Sequence, residues 1–182
     1  MPTGVHEMLI ASVEEAICTQ LRLIRDRSDR AALFAQKVRA ARSTEIYFPV
    51  DDAPPSTKSK HEPDASYWHL DAVYPGVIIE VSYSQKRKML DRLAEEYLLD
   101  SNASVQVVVG LDIEYGRKRS RKTTSRKTIS RKATLSVWRT RVFHTADGDE
   151  LRVIQEIVDE VCSFLRGYSF VLNFWYFFIG IP

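Results

Sequence analysis

The sequence predicts an α/β domain with a central mixed sheet flanked by helices. Two apolar runs, at 77–82 and 104–113, have the length of buried strands, and the apolar residues of 85–99 between them recur with helical spacing. Ser84 can cap this helix. A strand–helix–strand unit with a crossover of this length implies two parallel strands. The 182 residues, 45% apolar and 27% charged, suffice for one domain with a substantial core.

The first part of the chain carries both helix and strand signals. Apolar residues at three- and four-residue steps predict an amphipathic helix over 5–27. The segment 31–38 is compatible either with a strand or with an extension of this helix, whereas 44–48 alternates as a strand does. Residues 51–63 are rich in Asp, Pro, Ser and Lys and are predicted to form a loop.

The remaining segments complete the sheet. We expect a short strand over 65–70, a turn at 74–76 and a further strand over 133–139, which is rich in β-branched residues. An Asp-Gly pair predicts a turn within 144–149. Residues 150–161 fit either a helix or a strand, because their apolar residues satisfy both periods.

Two acids are the main candidates for chemistry. Glu80 lies within an apolar run, where burial of a lone carboxylate costs several kcal/mol or shifts its pKa. Asp64 follows Pro63, 16 residues earlier, and can return on a neighbouring strand. Two converging carboxylates suit a hard cation such as magnesium. The alternatives are that Asp64 is an ordinary loop or N-cap residue and that Glu80 pairs with Arg87 or Arg92.

The positive charge of the chain is concentrated in one segment. Residues 117–132 contain nine Lys and Arg residues and no acid. Six of the nine lie in three copies of a five-residue Ser-Arg-Lys repeat that begins at Ser120. The rest of the chain has 17 basic and 24 acidic residues. We expect this insert to be an exposed connection between two strands of a hairpin, because like charges repel and resist burial. Its composition could attract nucleic-acid phosphates or act as a nuclear localisation signal.

The cysteines and the two ends of the chain indicate in which compartment the protein is expected. Cys18 and Cys162 form no metal-binding pattern, and no secretory signal is visible, so we expect an intracellular protein, nuclear or cytoplasmic. The apolar stretch 168–182 is shorter than the roughly 20 residues of a spanning helix, so no integral membrane span is expected. The predicted domain covers 1–161, with 162–182 as an apolar tail outside the core.

The motifs around the two acids resemble a known superfamily. They are His61-Glu62-Pro63-Asp64, then the run 75–82 that contains Glu80, and then the strand 105–112. In this order of elements the chain resembles the PD-(D/E)XK nuclease superfamily over roughly residues 5–140. Within it, the chain is most similar to fungal proteins related to the Uma-type endonucleases. The resemblance implies a restriction-endonuclease-like core in αβββαβ order and a metal-dependent endonuclease that hydrolyses phosphodiester bonds.

The resemblance also implies roles for individual residues. Asp64 and Glu80 would bind Mg²⁺ or Mn²⁺. The lysine that the family places two residues after the glutamate is absent, since Ser82 stands there; Ser82 is instead expected to satisfy backbone donors at a helix start. Some relatives supply the basic group from the following helix, which makes Lys86, with Gln85, the candidate catalytic residue. The departure leaves two hypotheses: an enzyme with a relocated lysine, or an inactive nucleic-acid-binding or interaction module.

Several other side chains lie near the motif in the sequence. His61, Glu62 and His69 could assist the chemistry, although their spacing does not require it. Trp68 and Trp138 are predicted to be core residues and not platforms for stacking bases.

Overall fold

The computed structural model describes residues 4–50, 54, 57–83, 87–113 and 133–162. The helices are α1 (Gly4–Arg25), α2 (Arg30–Lys37) and α3 (Arg87–Asp100). The strands are β1 (Val38–Ala40), β2 (Ile46–Pro49), β3 (Lys58–His61), β4 (Ala65–His69), β5 (Val77–Tyr83), β6 (Val107–Ile113), β7 (Ala133–Thr145) and β8 (Gly148–Cys162).

Six strands form one mixed sheet in the order β1-β4-β5-β6-β7-β8. Strands β5 and β6 are parallel and are joined through α3, while the other neighbours in this sheet are antiparallel. Strands β2 and β3 form a separate antiparallel pair. The prediction of an α/β domain with a mixed central sheet, and of a parallel pair at its centre, is confirmed.

The sheet separates two apolar cores. One core lies between the sheet and α1, whose buried residues recur at helical spacing, with Val13 and Ile17 at its centre. The other lies between the sheet, α3 and the β2–β3 pair, and includes Phe48. Ile78 and Ile79 are consecutive on β5, and both are buried, one in each core. Strand β5 is therefore covered on both faces, as central parallel strands usually are.

Local interactions fix the short second helix against the first. The side chain of Asp29 caps α2, since its Oδ1 accepts the backbone N–H of Ala32 at 3.0 Å. At the other end, the Arg25 guanidinium donates to the carbonyls of Ala35 and Val38 at 2.8 and 2.7 Å. These bonds tie the end of α1 to the end of α2, where the Ala35 carbonyl also accepts the backbone N–H of Val38. The open choice for 31–38 is resolved as a helix through Lys37 followed by a strand.

One segment departs from the sequence predictions, and another that they left open is resolved. The predicted loop 51–63 contains β3, so the prediction is wrong for Lys58–His61, which pair with β2. The prediction failed because these polar residues lack the alternating apolar pattern of a strand. They form a strand because they pair with β2. Residues 150–161, which fitted a helix or a strand, lie in β8 because they pair along β7. Strand β7 also extends past Arg139 to Thr145, where the predicted turn begins.

Trp68 and Trp138 differ in burial. Trp138 is buried in the core beside α3, as predicted. Trp68 is only partly buried, and its Nε1 has no hydrogen-bond partner within the described part of the chain.

The insert 117–132 and the residues 163–182 lie outside the described residues. Ile113, the end of β6, pairs with Ala133, the start of β7, so the insert belongs to a connection between two antiparallel neighbours, as predicted. Cys162 itself still belongs to β8. None of the helices in the described ranges is long and apolar enough to cross a membrane.

We predict that Gly110→Ala destabilises the fold. A Cβ at Gly110 would lie 2.7 Å from Cζ3 of Trp138 and 3.1 Å from Cδ1 of Leu90, and both side chains are buried. Overpacking of this kind costs about 1–3 kcal/mol. Thermal unfolding should show a lower melting temperature for this variant. Gly76→Ala is the matched control, because an added Cβ there meets nothing within 4 Å; an equal loss in both variants would contradict the prediction.

Candidate functional site

The register of β4 and β5 places Asp64 opposite Glu80. Ala65 pairs with Ile79 in this antiparallel ladder. The next pair in the same register is Asp64 and Glu80, whose side chains lie on one side of the sheet. Oδ2 of Asp64 accepts the backbone N–H of Val81 at 2.7 Å, which holds the carboxylate against β5. The structure therefore brings together the two acids that the sequence singled out.

The Glu80 carboxyl is shielded from water and contacts two side chains. The hydroxyl of Tyr97 on α3 donates to its Oε1 at 2.7 Å. The pKa of Glu80 is raised from 4.5 to about 8. Burial is the largest cause; the charge of Asp64 and a hydrogen bond with Asp64 also raise the pKa, whereas the Tyr97 hydrogen bond lowers it. At neutral pH the Glu80 carboxyl thus keeps its proton.

Tyr97 supports this arrangement as a proton donor. Burial, followed by the nearby charge of Glu80, raises the pKa of the Tyr97 phenol far above its ordinary value of 10. The phenol therefore keeps its proton at neutral pH and donates a hydrogen bond to Glu80. The sequence placed Tyr97 on the apolar face of its helix, which is correct for the ring, but the pattern gave no sign of the polar contact.

His6 is the second contact that sequence analysis missed. It lies in the first turn of α1 and is 8% exposed. Its Nε2 is 3.2 Å from Oδ1 of Asp64, and its Nδ1 is 3.3 Å from Oε1 of Glu7. The one sequence feature that could have indicated this contact is that His6 lies on the same face of the amphipathic helix as its buried apolar residues. This contact links the start of α1 to the candidate site.

An aromatic group lies next to the site on the α3 face. The ring of His61 at the end of β3 packs between Tyr97 and Phe48, with centroid distances of 5.1 and 5.4 Å. The Tyr97 hydroxyl binds Glu80, and the His61 ring packs against Tyr97. His61 therefore lies near the acids, with Tyr97 between them. The sequence placed His61 near the motif in the chain, and the β2–β3 pairing brings it near in space.

Of Ser82, Gln85 and Lys86, the structure describes only Ser82. Ser82 lies in β5, where it is buried and donates to Oδ1 of Asp112 at 3.0 Å, so its expected role at a helix start is wrong. Gln85 and Lys86 lie outside the described residues, as does the predicted cap Ser84.

The alternative ion pair for Glu80 finds no support at Arg92. The Nε of Arg92 pairs instead with Glu96 one helical turn away, at 2.7 Å. Glu80 makes its contacts with Tyr97 and Asp64.

The donor set suits a hard cation better than a soft one. Asp64 and Glu80 supply only carboxylate oxygens, and Mg²⁺ is typically held by one or two carboxylates while it retains several waters. Within the described ranges, no group of three or more His, Cys, Asp and Glu residues is arranged to hold a metal. Two adjacent carboxylates thus fit a magnesium-type ion, provided that Glu80 releases its proton.

Comparisons with family models, with curated proteins and with solved structures found no match to this chain. The chemistry of the site therefore has to be argued from its own geometry.

We predict that Glu80 makes the fold less stable as the pH rises from about 4.5 to about 8. Over this range the folded protein retains a proton that the unfolded chain releases, so the free energy of unfolding decreases with pH. Glu80→Gln removes this titration and keeps an acceptor for Tyr97. Melting temperatures measured with a chelator from pH 5 to pH 8 should fall less in this variant, by a few degrees.

The control for this measurement is Glu95→Gln, because Glu95 lies exposed on α3, the helix that carries Tyr97. Its curve should parallel that of the wild type. If the Glu80→Gln curve does so as well, Glu80 is not protonated in the folded state.

Proposed function

We propose that the protein is a metal-dependent nuclease that hydrolyses phosphodiester bonds, with the restriction-endonuclease-like core of the PD-(D/E)XK superfamily. The observation that carries the proposal is the contact between Asp64 and Glu80 across β4 and β5. The order α1, β1, β4, β5, α3, β6, with β5 and β6 parallel, supports the fold that the sequence resemblance implies.

In this proposal Asp64 and Glu80 hold Mg²⁺ or Mn²⁺. When bound, such an ion lowers the pKa of a coordinated water and offsets the negative charge that builds up on the phosphate. The chain supplies the orientation: the Val81 N–H holds Asp64, and the Tyr97 hydroxyl holds Glu80. Glu80 has to release its proton first, so metal affinity should increase with pH up to about 8.

Nucleic acid is the proposed substrate because of the charge distribution. The described body of the chain is largely acidic, and the nine cations of 117–132 lie in the connection between β6 and β7. Such a segment would bind phosphates without sequence preference, and its contribution would decrease with salt. DNA and RNA both fit this chemistry.

A second candidate function is a catalytically inactive nucleic-acid-binding or interaction module on the same fold. The observation that favours it is Ser82, which occupies the position of the expected lysine and is buried against Asp112. A cation at that position would orient the attacking water and stabilise developing charge, which a buried serine cannot do.

The test combines metal binding with cleavage. Calorimetric titration with Mg²⁺ and Mn²⁺ should show binding to the wild type and none to Glu80→Ala. Incubation with single- and double-stranded DNA and RNA should give metal-dependent cleavage that Glu80→Ala abolishes, because the variant loses a metal ligand. Glu95→Ala, exposed on α3, should behave as the wild type. Nucleic-acid binding without cleavage would favour the inactive module.

We predict that Lys86 carries the missing basic function and that His61 assists the site. Lys86→Ala should slow cleavage by about 100- to 10,000-fold, the usual effect of one positioned donor or proton-transfer group. Gln85→Ala tests the other predicted residue at this position. His61→Ala should also slow cleavage, since its ring supports Tyr97.

Lys88→Ala is the matched lysine control and should cleave at the wild-type rate. If Lys86→Ala cleaves as fast as the wild type, the hypothesis of a relocated lysine is wrong. If His61→Ala does so as well, the contact of its ring with Tyr97 is not needed for cleavage.

A further inference from the structure

A groove with a volume of about 470 Å³ lies on the face of the sheet opposite the contact between Glu80 and Tyr97. It is bounded by α1, by α2 and by the first residues of β5 and β6, Val77 and Val107. Small-ligand sites have volumes of roughly 300–1,000 Å³ and are mostly apolar, with a few polar groups that fix orientation. The groove has this size, and nothing in the proposed nuclease chemistry uses it.

The lining of the groove is apolar inside and basic at its border. Ile17, Leu21 and Ile24 of α1 form the apolar wall opposite the sheet. The fifteen lining side chains include two arginines, Arg30 and Arg139, and no acid. A ligand that fits must therefore bury an apolar body and can carry negative charge at one end.

Phe34 forms an exposed aromatic side of the opening. It is 60% exposed, and its ring stacks on that of His69 with a centroid distance of 4.6 Å and an interplanar angle of 20°. The backbone N–H of Asp71 donates to Nδ1 of His69 at 3.3 Å, so a neutral ring carries its proton on Nε2. The opening thus combines a flat apolar surface with a hydrogen-bond donor.

The charges at the opening favour an anion. Arg30 is exposed and forms no ion pair with any other described residue, while the Nε of Arg139 lies 3.1 Å from Oε2 of Glu156. Glu156, which does not line the groove, therefore neutralises the charge of Arg139. No described acid neutralises the charge of Arg30. A carboxylate at the opening would be attracted, and an ammonium group would be repelled.

We propose that this groove binds a single-chain amphiphile with a carboxylate head, such as a medium-chain fatty acid. The alkyl chain lies between α1 and the sheet, where it removes apolar surface from water. The carboxylate lies at the opening beside Arg30. A nucleotide would need polar contacts along most of its length, which the apolar interior does not offer.

The experiment compares two ligands of equal chain length and opposite charge. The full chain is titrated by calorimetry with decanoate and with decylammonium, both below the concentration at which they form micelles. Decanoate should bind one molecule per chain, at least tenfold more tightly than decylammonium. Absence of saturable decanoate binding, or equal affinity for both ligands, would overturn the proposal.

Two pairs of variants locate the binding. Phe34→Ala should weaken decanoate binding at least tenfold, while Leu33→Ala, its neighbour at 65% exposure and outside the lining, should not. Arg30→Glu should weaken binding at least tenfold, while Arg22→Glu makes the same change of charge at an exposed residue outside the groove. All four positions are on the surface, so the variants should fold, which circular dichroism checks. Equal effects within each pair would show that decanoate binds elsewhere.

Discussion

The parallel pairing of β5 and β6 is the constraint on which the rest of the structure depends. Strand β5 pairs along its full length with β6, and α3 connects the two strands. Because α1 covers one face of this pair and α3 the other, almost every side chain on the two strands has to fit an interior. Polar side chains on these strands need partners, and Glu80 is stabilised by a retained proton, the Tyr97 hydroxyl and Asp64. The candidate site is thus a consequence of placing an acid in a strand that is buried on both sides.

The candidate site depends on register as much as on residue type. Side chains alternate between the two faces of a strand, so a slip of one residue in β5 would move Glu80 to the α1 face and away from Tyr97. Such a slip would also bury Ile79 in place of Glu80 beside α3. The apolar residues that flank Glu80 therefore fix the register through their own burial. Stability of the core and geometry of the site are set by the same residues.

The two faces of the sheet differ in chemistry. The α3 face holds the acids, the aromatic group around Tyr97 and, further along, the buried pair of Ser82 and Asp112. The α1 face is apolar through its core and opens into the groove at the start of β5. Ser82 shows how the structure departs from the pattern that it resembles, because its hydroxyl satisfies a buried carboxylate and leaves no position for a lysine there. The two proposed sites can therefore be tested independently.

The sequence by itself determined the elements whose signals are local. Apolar residues at helical spacing predicted helix α1, and continuous apolar runs predicted strands β5 and β6. An acid placed within such a run predicted the contact between Asp64 and Glu80. The tertiary structure decided what depends on distant pairing. Strand β3 forms because β2 lies beside it, and His6 reaches Asp64 because α1 packs across the sheet. These contacts join residues that are far apart in the chain. They are brought together by the packing of apolar faces against one another, and the local periodicity of the sequence does not show which faces will meet.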